Sequence, residues 1–226
     1  MNIIPFQSQK PETPFAPHWG FGVGEHQTDI DCDLLKEFLL SKEEEVLSIP
    51  ESNPTAYGTY LGEDSTTARS QSYNVLIWDN PQIEQLKKEI VDVHNYYYQT
   101  VIGNPPKHGI RVSGWMNIMR KGDRIRKHVH GYGARSYLSG HFTVCCEDTR
   151  TVYVNPYEHW SEEFIMRDME KYSYHHSEKV YAPENVSGKL TLFPNYIPHF
   201  TTEHQGDDLR ITIAFDISPI PDPNPA

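Results

Sequence analysis

The stretch Leu209-Arg210-Ile211-Thr212-Ile213-Ala214-Phe215-Asp216-Ile217 alternates without a break. Successive side chains of a strand point to opposite faces. Leu209, Ile211, Ile213, Phe215 and Ile217 therefore share an apolar face, and Arg210, Thr212, Ala214 and Asp216 share the other. An arginine on a mostly small, enclosed face needs an anionic partner, because an unpaired buried charge is costly.

Upstream of this run, shorter β-rich runs occupy 112–119, 136–145, 151–154 and 189–193, separated by Gly, Pro, Asn and Asp. Before residue 104 the texture is helical. Asn80 is placed to cap a helix that Pro81 begins, where its missing N–H costs nothing. Ile83, Leu86, Ile90, Val93, Tyr97 and Val101 then recur at spacings of three and four, making one apolar stripe. A second helix is predicted over 33–47, with Leu35, Phe38 and Leu39 inward. Helices followed by many short strands point to an α+β class, with the helices buttressing one face of a β-sandwich or jelly roll. Residues 1–30 read as an extended lead-in segment, and 218–226 as a loose Pro-rich tail. The aromatic, acidic insert 155–181 has the length of a lid or binding loop. The whole chain is expected to be one domain, 1–226: a helical buttress at 31–104 and a β core at 110–217.

Composition narrows the function. A net charge of −11 disfavours nucleic-acid binding through a broad basic face. The dense basic run Arg120, Lys121, Arg124, Arg126, Lys127 reads first as a solvated hairpin turn, and second as an anion contact at the mouth of a site. Three cysteines, Cys32, Cys145 and Cys146, form neither a disulfide framework nor a zinc ribbon. Reduced cysteines, no readable signal peptide and no long apolar run lead to the expectation of a cytoplasmic protein without a membrane span. A homo-oligomer is compatible with all of this.

Three histidines stand out by position. His128 and His130 are spaced i, i+2 just before a strand, so both imidazoles project to one side. His199 follows a Pro-bounded turn, Pro194-Asn195-Tyr196-Ile197-Pro198. His159 and the pair His175-His176 read as surface residues; His108, His141 and His204 receive no role.

The ordered set Trp115-Met116-Asn117, Gly122-Asp123, His128-Val129-His130, Ser139-Gly140, Leu190-Thr191-Leu192-Phe193-Pro194, His199 and Arg210 resembles the 2-oxoglutarate/iron(II) oxygenases. In particular it is similar to a bacterial and phage subgroup with a His-x-His motif. The resemblance covers about 112–217. It implies a double-stranded β-helix of the jelly-roll, cupin-like kind with N-terminal buttressing helices. It implies Fe(II) as metal, 2-oxoglutarate as co-substrate, and hydroxylation or a related C–H oxidation of a small-molecule or peptidyl substrate. His128 and His199 would be metal ligands. Arg210 would hold the far carboxylate of 2-oxoglutarate, aided by a Thr212 hydroxyl, with Asn117 a further co-substrate contact. The wider superfamily has a carboxylate where this chain has His130. Either His130 ligates, giving a three-histidine site that also suits Zn(II), or it stands outside while water or Glu147, Asp148 or Glu203 ligates. Two other functions fit the same residues: a three-histidine, cupin-like dioxygenase that does not use 2-oxoglutarate, and a non-catalytic metal-binding jelly roll.

Overall fold

The computed structural model describes residues 1–7, 20–50, 65–130, 136–146, 148–156 and 180–220. The strands are β1 (Asn2–Gln7), β2 (Gly20–Gln27), β3 (Ile110–Met119), β4 (Leu138–Cys145), β5 (Thr151–Val154), β6 (Val180–Tyr181), β7 (Lys189–Pro194), β8 (His199–Thr201) and β9 (Arg210–Pro219). The helices are α1 (Cys32–Ser41), α2 (Glu43–Leu47) and α3 (Pro81–Ile102).

Among the described residues all strand pairings are antiparallel. Six strands form the larger sheet in the order β1-β2-β7-β4-β9-β3, and three form the smaller in the order β6-β5-β8. Residues 125–128 extend the smaller sheet along β8, with Thr201 N–H donating to the Ile125 carbonyl and His128 and His199 exchanging backbone hydrogen bonds. From β3 onward the chain passes back and forth between the two sheets.

The alternation of β9 is realised. Ile211, Ile213, Phe215 and Ile217 are fully buried against a core built with α1 and α3. The α3 stripe supplies Ile83, Leu86, Ile90, Val93 and Tyr97, none more than 3% exposed. Each such side chain stabilises the fold by about 1.5–3 kcal/mol. Val101, predicted to continue the stripe, lies past its contact with the sheet and is exposed. Asn80 Oδ1 accepts from the backbone N–H groups of Gln82 and Ile83, as the cap requires.

The predicted helix 33–47 is two helices. Ser41 Oγ donates back to the Phe38 carbonyl, and Lys42 N–H turns to the Leu39 carbonyl, closing α1. Glu43, Glu44 and Glu45 then favour a fresh N-terminus, where the helix dipole is positive. The lead-in segment is also corrected: its described residues form β1 and β2, which join the larger sheet. Gly24 permits this, since a Cβ there would lie 3.1 Å from the Tyr97 ring of α3. Cys32, Cys145 and Cys146 are all free thiols, as expected. Most of the 155–181 insert and the tail beyond residue 220 lie outside the described residues.

β3 is an edge strand whose outer side is covered by side chains rather than by another strand. Asn74 Oδ1 accepts from Gly114 N–H, the Tyr73 hydroxyl from Met116 N–H, and Thr66 Oγ1 from Ile118 N–H. Tyr73 and Thr66 each donate to the Met116 carbonyl. An open edge would otherwise present unpaired donors and acceptors.

Candidate metal and co-substrate site

The second face of β9 lines a cavity of about 750 Å³ between the sheets. His128, His130 and His199 meet in it. The backbone pair between residues 128 and 199 sets their ring centroids 4.3 Å apart, and His130 lies 5.2 and 5.0 Å from them. One ring nitrogen from each falls within 4.8 Å of the others. The i, i+2 expectation holds. Of the carboxylates considered for the third position, Asp148 and Glu203 are exposed side chains and Glu147 lies outside the described residues.

The tautomers can be read from the partners. His128 Nδ1 lies 2.8 Å from the Arg126 carbonyl and His199 Nδ1 2.9 Å from the Ile197 carbonyl. A carbonyl only accepts, so each Nδ1 carries a hydrogen and each Nε2 lone pair is left for a ligand. Burial, reinforced by the neighbouring imidazoles, lowers the pKa of His128 from 6.5 to about 4 and that of His199 well below its ordinary value. Both are neutral at pH 7, the form that binds metal. The third ring, His130, places Nδ1 2.7 Å from Asp216 Oδ1 and stacks on Trp115 at 5.6 Å.

Arg210 enters the same cavity and is 2% exposed. Its terminal nitrogens reach Met119 Sδ at 3.1 Å and Thr151 Oγ1 at 3.2 Å, the Cys146 thiol is a further side-chain partner, and among the described residues its Nε has no hydrogen-bond partner. Burial lowers its pKa. Neither of the two aspartates just before it in sequence forms an ion pair with Arg210: Asp207 pairs with Lys121, and the Asp208 carbonyl faces His204 Nε2. Among the described residues no carboxylate forms a salt bridge with Arg210. Asn117 Nδ2 donates to Thr212 Oγ1 at 3.2 Å and Asn117 Oδ1 accepts from Thr67. Thr212 thus keeps its own hydroxyl hydrogen to offer, while the Asn117 amide is largely occupied.

The basic run 120–127 takes its solvated reading. Arg120 pairs with Glu43 and Lys121 with Asp207 at the surface, and of the run 120–127 only Ile125 lines the cavity. His204 is fully buried between Thr149 Oγ1 and the Asp208 carbonyl, a structural position. His108 faces the Tyr137 hydroxyl outside the cavity. His159, His175 and His176 lie outside the described residues.

Sequence reasoning missed Asp216, Ser139 and His141 as parts of the site. Asp216 was legible, since it shares its strand face with Arg210 and Thr212. His141 lines the cavity, with Nδ1 3.3 Å from the Tyr153 hydroxyl. Burial, then the Arg210 charge, lowers its pKa to about 3.

Residues 113–216 match the family described as Putative 2OG-Fe(II) oxygenase. The matched span of this oxygenase family runs from β3 to Asp216 and contains all three histidines and Arg210. No curated protein sequence matches the chain. Among solved structures, the fold is similar to a Pseudomonas putida prolyl-4-hydroxylase (TM-score 0.52, 9% identity, 88% of this chain and 92% of that one). It is similar to AviO1 from Streptomyces viridochromogenes Tue57 (TM-score 0.53, 10% identity, 91% and 92%). It is also similar to HygX from Streptomyces hygroscopicus, solved with nickel and 2-oxoglutarate bound (TM-score 0.52, 12% identity, 88% and 83%). At these identities the likeness is one of fold. Among the described residues no helix is long and apolar enough to cross a membrane.

Proposed function

We propose that this chain is an iron(II)- and 2-oxoglutarate-dependent oxygenase whose two sheets are the halves of a double-stranded β-helix. His128, His130 and His199 are the metal ligands, and Arg210 grips the far carboxylate of 2-oxoglutarate. The observation that carries the reading is the pairing of two features in one cavity: a convergent trio of imidazoles, two with fixed Nε2 lone pairs, and a buried guanidinium that no carboxylate among the described residues pairs with. The donor set suits iron(II), for which imidazole is a common ligand. A planar guanidinium suits a carboxylate, which it can hold through two parallel hydrogen bonds.

When bound, the metal and 2-oxoglutarate would supply oxidative decarboxylation coupled to hydroxylation of a substrate C–H bond. The chain's own contribution is placement. The Arg126 and Ile197 carbonyls hold His128 and His199 in the ligating tautomer. Thr212 offers its hydroxyl beside Arg210, and Asn117 orients Thr212 from behind. Phe193, packed edge-on at 4.8 Å from His199, keeps one side of the cluster dry. The substrate is a small molecule or a peptidyl residue. Arg210 favours this reading over a three-histidine dioxygenase that dispenses with 2-oxoglutarate, which would leave that charge without a function.

The test is anaerobic loading with iron(II), followed by 2-oxoglutarate and oxygen, with succinate and carbon dioxide measured. Turnover is expected in the wild type and absent in His128→Ala and Arg210→Ala. Succinate at undiminished rate in Arg210→Ala, or none in wild type that has bound both iron and 2-oxoglutarate, would overturn the proposal.

A further inference from the structure

The third imidazole differs from the other two in what holds it. His128 and His199 lean on neutral backbone carbonyls, whereas His130 leans on a carboxylate. Asp216 Oδ1 lies 2.7 Å from His130 Nδ1 and 2.6 Å from Ser139 Oγ. Ser139 and Asp216 are direct partners in the β4–β9 register, so the hydroxyl and the carboxylate meet by strand pairing. Nδ1–H and Ser139 O–H both donate to the same oxygen. With Nδ1 engaged by Asp216, Nε2 is the nitrogen left to serve the cluster with His128 and His199, and the indole of Trp115 stacks on the ring. Asp216 itself is not part of the three-residue cluster.

We propose that Asp216 is a positioning residue for the metal site and supplies, through His130, the negative charge that three neutral imidazoles lack. The inference rests on the reading of His128, His130 and His199 as ligands. A neutral imidazole offsets none of the charge of a divalent metal, whereas a carboxylate does. A carboxylate hydrogen-bonded to the far nitrogen of a ligating imidazole raises the basicity of that ligand as well as orienting it. Asp216 thus restores, one residue outward from the metal, what a carboxylate ligand would have provided directly. Ser139 holds the carboxylate in place without competing for the imidazole.

Charge and orientation can be separated. In Asp216→Asn the amide oxygen still accepts from Nδ1–H, so orientation survives and the charge is lost. In Asp216→Ala both are lost. Dissociation constants for Co(II) and Fe(II), from anaerobic chelator competition, and the visible spectrum of the Co(II) form are the readouts. Asp216→Asn is expected to weaken binding roughly 10–100-fold, with Asp216→Ala at least as weak. Its Co(II) bands should shift, since the ligand field at His130 changes. Ser139→Ala should weaken binding in the same direction by a smaller factor. The double variant His130→Asp with Asp216→Asn, which moves the carboxylate from the outer position to the inner one, should recover the lost affinity. Asp216→Asn binding Co(II) within about twofold of wild type, a small free-energy change, with His128→Ala abolishing binding, would overturn this inference alone. Undiminished binding in His128→Ala would overturn the metal-site reading beneath it.

Discussion

Replacing Arg210 by methionine should make the ligand-free protein more stable while removing its response to 2-oxoglutarate. The guanidinium is 2% exposed, and among the described residues its Nε is unpartnered and its other contacts are neutral: the Met119 thioether at 3.1 Å, the Thr151 hydroxyl at 3.2 Å and the Cys146 thiol. An uncompensated buried ion costs several kcal/mol, and an orphaned donor about 1–3 kcal/mol. Methionine has similar length, no charge and enough flexibility to fill the space. Set against the packing lost with the guanidinium, a net gain of about 2 kcal/mol is expected. For a chain of this size that raises Tm by about 4–8 °C. Wild type at a 2-oxoglutarate concentration of about a hundred times Kd should itself gain about 2.7 kcal/mol, and the variant nothing. The assay is calorimetric melting of Co(II)-loaded protein without oxygen, with and without 2-oxoglutarate. A ligand-free variant destabilised by more than about 2 kcal/mol would show that Arg210 has a satisfied structural role. A variant that 2-oxoglutarate still stabilises as it does wild type would show that the guanidinium does not receive the carboxylate.

Three further outcomes are expected. His141 titrates from its ordinary 6.5 down at about 3, through burial and then the Arg210 charge. The unfolded chain therefore takes up this proton first as pH falls, and stability is lost from about 6.5 toward 3 at about 1.36 kcal/mol per unit, reaching about 2 kcal/mol at pH 5. Urea titrations of metal-free His141→Gln should lack that share of the acid slope; an unchanged slope would contradict the assignment. Gly140→Ala should cost about 1–3 kcal/mol or more, because its Cβ would collide with the Thr191 carbonyl oxygen and the Phe215 ring; a urea midpoint equal to wild type would show that β4 can shift. Tyr73→Phe should cost about 1–3 kcal/mol, since it strips the Met116 N–H and carbonyl of a shared partner. Chemical denaturation checks this, and a loss below about 0.5 kcal/mol would mean water replaces the hydroxyl.

The parts of the fold legible in the sequence were those whose pattern repeats locally. The β9 alternation and the α3 stripe each state which face is buried, and both hold except at Val101. β2 was hidden because glycines at 20, 22 and 24 leave one of its faces without side chains, and their role appears only when Tyr97 packs against Gly22 and Gly24. At the site, His128 and His130 could be paired by spacing and Arg210 by its strand face. His141 could not, because nothing local distinguishes it from a core histidine. Asp216 lay on the face already assigned to Arg210, but its link to His130 depends on the register of β9 with β4 and on the backbone hydrogen bond that ties residue 130 to the Asn195 carbonyl.

The segment that covers the β3 edge divides its labour residue by residue. Thr66, Tyr73 and Asn74 are riveted to the strand, while Ser70, Gln71 and Ser72 arch between those rivets over the cavity, with Gln71 and Ser72 exposed. Changes at 70–72 should therefore retune what the pocket admits at small cost to folding, whereas a graft that also replaced Thr66, Tyr73 and Asn74 would unfasten the sheet along with the old preference. Selectivity here can drift in small steps, on a strap whose two buckles stay closed.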